Sequence, residues 1–296
     1  MQTQVALTVI FFFLTHGYLK INLHRSPPQA RNSLLSTMFS RDRKGEMEID
    51  VMLDEPLTSD SCTKVVMELI KYILYQKQQI PFTYEALAQF QTSVKTTDRN
   101  AVSFRALSST LKSVSEHLSS QFFLKGCDIK EVAVILGATI LSPKLYIGID
   151  LPSYVLNSKQ HKEYQHSSRK PLLKLMRSML ECDEFQEAMN VPLNMTNMFV
   201  MLRKNDSNSV SDFFLPKPQY VPPMQTASCF RIKLCQSDQV DMQCNCRTLV
   251  KVYHDSCKTY LENEDDVQYT QYNSATQSSY RWYQSKQIIK GFKFSS

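Results

Sequence analysis

Apolar residues between Val66 and Leu74 recur at helical spacing. Val66, Leu69, Ile70, Ile73 and Leu74 stand at i, i+3, i+4, i+7 and i+8, one face of a helix. Ser59–Asp60 offers an N-cap and Pro81 a stop, so the pattern predicts a helix over 59–79. Thr83 caps a shorter second helix carrying Leu87 and Phe90. After a loop at Lys95–Asn100, Phe104, Leu107, Leu111, Val114, Leu118 and Phe122 mark a third helix, with Gly126 at its C′ position. The period then changes. EVAVIL (Glu131–Leu136) reads as a buried strand, and KLYIGIDL (Lys144–Leu151) alternates, with Leu145, Ile147, Ile149 and Leu151 on one face. GATILSP between them favours a hairpin. KPLLKLMRSMLECDEFQEAM (Lys170–Met189) predicts a fourth helix. Strands are expected at Asn197–Lys204 and Cys229–Gln236, with Pro-rich FFLPKPQYVPP between them, and at Arg281–Phe294.

Helices followed by runs of strands imply the α+β class, one domain whose sheet is covered by helices on one face. That domain is expected over 59–296, with a polar excursion at about 236–279 rich in Gln, Asn, Ser and Asp. Residues 1–58 read as a disordered tail. Within it, 20–58 is a polar linker without periodicity, and Val5–Leu14 is an apolar stretch. No internal repeat is visible.

Composition narrows the function classes. The 296 residues are 43% hydrophobic, enough for a sizeable core. Net charge is +6, from 34 basic and 28 acidic residues. The basic residues are scattered rather than interleaved with aromatics, which speaks for solubility and against nucleic-acid binding. The six glycines, at 17, 45, 126, 137, 148 and 291, assemble no phosphate-cradling loop. A nucleotide-dependent enzyme is therefore disfavoured. Of eight cysteines, Cys62, Cys127 and Cys182 lie far apart in helices or at a helix–strand junction, as thiols of a reducing compartment do. Val5–Leu14 is too short to span a bilayer, no Lys or Arg precedes it and no A-x-A-like site follows. The expectation is the nucleus and cytoplasm, with no membrane association. Val5–Leu14 and the sequons at Asn194 and Asn205 motivate the rival, a secreted or lumenal enzyme of unknown type.

Candidate chemistry is thin. Cys244, Cys246, His254 and Cys257 offer four zinc-ligand types, but the one-residue gap of the first pair fits a tetrahedral site poorly. His117 lies mid-helix in SVSEHLSS, a solvated face rather than part of a catalytic triad. Glu262, Glu264, Asp265 and Asp266 form an acidic loop, not a dyad with separated pKa values. The chain reads as a non-enzyme with no cofactor and no metal.

Two helix faces remain as binding candidates. Opposite the apolar stripe of 59–79, Tyr72, Tyr75, Gln76 and Gln79 recur at i, i+3, i+4 and i+7. Rings and amides suit a protein contact because they bring area and hydrogen bonds without a charge to desolvate. A half-exposed flank that keeps the helix soluble fits as well. In the fourth helix Leu172, Leu175, Met176, Met179 and Leu180 exceed one apolar face, rimmed by Lys174 and Arg177. They form either an exposed Leu/Met ridge for a partner helix or a more deeply buried helix.

YILYQKQQIPFTYEALAQF, ILGATILSPKLYIGIDL, FFLPKPQYVPP and the closing IIKGFKF, in this order, resemble the comet family, binding partners of the spindle-checkpoint HORMA protein of the mitotic-arrest-deficient family. The likeness covers about residues 60–235 and the last dozen. It implies a HORMA-like fold, a central, mostly antiparallel sheet backed by three helices. It implies an adaptor that binds the closed conformer of its HORMA partner and presents it to a hexameric AAA+ ATPase. The outcome would be disassembly of the mitotic checkpoint complex and checkpoint silencing, at the spindle or kinetochore in mitosis. Gln76 aligns with a family contact, and Met176 stands where better-known members carry an aromatic contact. Lys174 and Arg177 retain the basic rim.

Overall fold

The computed structural model describes residues 46–93, 97–124, 128–152, 155, 168–205, 211–223, 228–236 and 280–294. Its first element, β1 (Met47–Leu53), lies inside the stretch read above as linker. Ile49, Val51 and Leu53 are buried while Glu48, Asp50 and Met52 face outward, the two-residue period of a half-buried strand. The expected tail of 1–58 is corrected there. Val5–Leu14 and the excursion at 237–279 lie outside the described residues.

α1 (Ser59–Gln76) is capped by Thr58, whose hydroxyl accepts from the Ser61 amide at 3.1 Å. α2 (Tyr84–Ser93) has Thr83 at its start, accepting from the Ala86 amide at 3.3 Å. α3 (Arg99–Phe123) is capped by the Asp98 carboxylate, which accepts from Asn100 and Ala101 at 2.8 and 3.1 Å. It buries Phe104, Leu107, Leu111, Val114 and Leu118, the stripe that the spacing predicts.

The fourth expected helix is two. α4 (Arg169–Glu181) and α5 (Asp183–Asn190) meet at Cys182, which is extended at φ −88, ψ 102. The buried positions explain the break. Pro171, Leu175 and Met179 follow a four-residue step, and Phe185 and Met189 do too. The step from Met179 to Phe185 does not, so an unbroken helix would carry Phe185 off the core side. Asp183 and Glu184 suit the new N-terminal turn. Five helices are therefore described, not three.

The strands are β2 (Asp128–Gly137), β3 (Pro143–Asp150), β4 (Asn197–Asn205), β5 (Phe214–Pro216), β6 (Ser228–Gln236), β7 (Tyr280–Ser285) and β8 (Ile289–Lys290). The single strand expected at 281–294 is thus two, and β8 returns to pair with β4. Among the described residues, eight strands form one sheet, seven of them in the order β1-β6-β3-β2-β4-β7-β5 and β8 off this path beside β4. β6 runs parallel to both β1 and β3, and the other pairs are antiparallel, including the predicted β2–β3 hairpin.

The pleat sorts side chains to two faces. Ile49, Val134, Ile147, Val200 and Ile232 share one core with buried residues of all five helices. The alternate positions, Ala133, Ile135, Tyr146, Phe199 and Met201, form a smaller cluster with Tyr220 and Trp282. Helices therefore cover one face, as expected. Each large side chain buried there contributes about 1.5–3 kcal/mol, which is what holds the short α5 against the sheet.

Candidate partner-docking surface

α1 ends at Gln76, five residues before Pro81, so the proline is not the stop. The Gln79 amide bonds Leu74 O at 2.8 Å and the Gln78 amide bonds Tyr75 O at 3.0 Å, the paired bonds of a Schellman turn. Gln78 takes the left-handed conformation this turn requires, φ 53. The turn swings the next side chains off the helix. Lys77 is 3% exposed, and its Nζ donates to Ala188 O and, at 2.9 Å, to Val191 O. Burial pushes the Lys77 ammonium down to about 8.

Gln79 is 1% exposed. Its Nε2 donates to Lys77 O at 2.9 Å and Leu193 O at 3.1 Å, and its Oε1 accepts from the Thr196 amide at 2.9 Å. An amide so engaged offers nothing to a partner. Gln79 therefore leaves the contact set and becomes a structural suture.

Tyr72, Tyr75 and Gln76 are half-buried. Tyr72 stacks on Phe185 of α5, ring centroids 6.5 Å apart and planes 13° apart. Its hydroxyl accepts from Gln186 Nε2 at 3.4 Å, and burial pushes the phenol pKa up. Gln186 Nε2 also donates to Met179 O at 2.8 Å, so one amide spans α1, α4 and α5. On α4, Leu175 and Met179 are buried, Leu172, Met176 and Leu180 are half-buried, and Leu173 is 40% exposed. Of the expected ridge, then, Leu175 and Met179 belong to the core and Leu172, Met176 and Leu180 are only partly covered. Its basic rim meets the chain's own acids: Lys174 lies 2.5 Å from Asp54, Lys170 pairs with Glu55, and Arg177 lies 2.8 Å from Glu181. What emerges is a surface of α1 and α4, half apolar and lightly charged, braced from behind by α5.

The family model described as "p31comet: Mad1 and Cdc20-bound-Mad2 binding" matches residues 22–243. The chain belongs to the p31comet family. It is 28% identical over 202 residues to the MAD2L1-binding protein of Homo sapiens, covering 62% of this chain and 71% of that protein. The MAD2L1-binding protein of Mus musculus is 28% identical over 202 residues, covering 62% and 70%. The resemblance read from YILYQKQQIPFTY and its companions is thereby shown.

Elsewhere in this p31comet-family chain, titratable groups serve the fold. Glu131 is buried on the sheet face opposite the helices, where its Oε1 accepts from Tyr146 Oη at 2.8 Å. Arg231 and Arg203 lie 3.6 and 3.8 Å from its Oε2. Burial raises the carboxyl pKa against the pull of Tyr146 and the arginines. Gly148 makes room for it, since a Cβ there would stand 2.7 Å from Oε1. His117 is not simply solvated: its ring stacks on Phe213 at 4.0 Å, and its Nδ1 lies 2.7 Å from Ser113 O. The Cys62 thiol is buried and pushed up to about 12. Among the described residues no group of three His, Cys, Asp or Glu could hold a metal ion, and no helix is long and apolar enough to cross a membrane. Cys244, Cys246, His254 and Cys257 lie outside the described residues.

Sequence reasoning missed Lys77 and Gln186. Lys77 carried a signal, a lone cation directly after an apolar helix, but its partner carbonyls are remote in sequence.

Proposed function

We propose that this protein is a non-enzymatic adaptor that binds Mad2 in its closed, Cdc20-bound conformer through the surface formed by α1 and α4. Membership of a family described by binding to Mad1 and Cdc20-bound Mad2 carries this reading. The half-apolar surface of Tyr72, Tyr75, Gln76, Leu173 and Met176 supports it, because such a mixture suits an interface core with a polar rim. The fold is read as HORMA-like, consistent with a mostly antiparallel sheet backed by helices on one face. Binding would serve to present closed Mad2 to a AAA+ ATPase, promoting disassembly of the mitotic checkpoint complex and checkpoint silencing in the nucleus and cytoplasm.

The deciding experiment is co-elution of the full chain with Mad2 held in its closed or its open conformer. Selective co-elution with the closed conformer is expected. Equal binding to both, or binding to neither, would overturn the reading.

A further inference from the structure

α5 has only 8 residues. A helix so short does not persist in water unaided, and its last carbonyls lack the amide four residues on that a longer helix supplies; locally Ala188 O accepts a long 3.4 Å bond from the Val191 amide at the C-cap. The chain answers them from outside. Lys77 Nζ donates to Ala188 O and Val191 O, bringing a cation to the negative end of the helix dipole. In return, the Leu193 amide bonds Lys77 O at 3.3 Å. A lysine 3% exposed is an expensive way to fill space, and its lowered pKa reflects that desolvation. A methionine would occupy the same volume. The ammonium adds direction, because it fixes where the end of α5 lies.

That placement propagates to the surface. α4 joins α5 through the single extended residue Cys182. Gln186, one turn into α5, reaches both Met179 O and Tyr72 Oη. The position of α5 therefore governs how α4 sits beside the Tyr72, Tyr75 and Gln76 flank of α1.

We propose that Lys77 is a positioning residue for partner binding: its ammonium pins the C-terminal turn of α5 to the end of α1 and so sets the spacing of the two helices that form the docking surface. This rests on the docking reading above. Lys77 itself touches no partner; it acts through α5.

The test uses the full chain as wild type, Lys77→Met and Lys77→Arg. Affinity for closed Mad2, amide exchange across residues 183–193 and thermal unfolding are measured on the same samples. The methionine variant is expected to bind about tenfold more weakly or worse, well below its unfolding temperature, with faster exchange concentrated in α5. Arginine, which restores a cationic donor, is expected to recover most of the affinity. Unchanged affinity in Lys77→Met overturns the proposal. So does an affinity loss that arginine leaves unrepaired while restoring thermal stability. If the methionine variant does not fold, Lys77→Gln, which keeps a shorter donor, is judged by the same criteria. Failure of the wild type to bind closed Mad2 would instead overturn the docking reading, and the inference with it.

Discussion

The amide of Phe292 donates to the backbone carbonyl of Gln79 at 2.9 Å, tying the closing segment of the chain to the end of its first helix. The Gln79 side chain meanwhile reaches Leu193, Asn194 and Thr196. One residue thus joins α1, the segment after α5 and the segment after β8. Disturbing any of the three should be felt at the other two.

Gly291 is the first place to disturb it. A Cβ there would stand 2.0 Å from Gln79 O and 2.7 Å from its carbonyl carbon, backbone atoms that cannot swing aside. Gly291→Ala is expected to separate the closing segment from Gln79 at a cost of about 2–3 kcal/mol. Denaturant unfolding reads the loss, and amide exchange at Phe292 should quicken. A variant as stable as wild type would show that the Gln79–Phe292 bond is dispensable.

Gln78 makes the opposite test. It holds a left-handed φ of 53 with a full side chain, which costs a non-glycine residue on the order of 1 kcal/mol. Its side chain is exposed. Gln78→Gly is therefore expected to leave stability unchanged or raise it by about 1 kcal/mol, glycine's entropy offsetting part of the gain. A lower melting temperature would mean that the glutamine side chain holds the turn.

Lys77 gives the pH dependence a sign. Burial lowers its native pKa to about 8 from an ordinary 10.5. Between those values the unfolded chain holds a proton that the native chain has released, so stability rises with pH across that window. Below about pH 8 both states are protonated, and the penalty of the buried charge is fully present. The stability of wild type minus that of Lys77→Met, from denaturant curves, should therefore climb between about pH 8 and pH 10.5. A flat difference would place the native pKa of Lys77 near its ordinary value.

The helices and central strands were legible because their buried residues follow periods of 3.6 and 2 over long runs, as Phe104 to Leu118 and Leu145 to Ile149 do. β1 carried the same alternation, but Glu48 and Asp50 on its outer face made the stretch look like linker. The break at Cys182 was written in the six-residue step from Met179 to Phe185, which a count of apolar residues overlooks. Gln79 extended the spacing of Tyr72, Tyr75 and Gln76 only while the helix was assumed to continue. Without a glycine at Gln78 nothing local announced the Schellman turn. The pairing of Tyr72 with Gln186, and the insertion of β6 between β1 and β3, join residues remote in sequence. Periodicity carries no information about such contacts.

Met176 and Arg177 separate binding from folding on α4. Met176 is half-buried and packs against the main core, so Met176→Asp should weaken binding and also cost about 1–3 kcal/mol of stability by burying a charge. Arg177 is exposed and touches Glu181 one turn on, a contact that solvent screens. Arg177→Glu should leave the unfolding curve in place, because a surface pair of this kind contributes little. If the outward flank of α4 meets an acidic patch on Mad2, the charge reversal should weaken binding about tenfold, mostly through slower association and more strongly at low salt. Titration of closed Mad2 at two ionic strengths decides the matter. Binding unchanged at both would remove Arg177 from the contact set and leave the apolar flank of Leu173 and Met176 as the part of α4 that a partner meets.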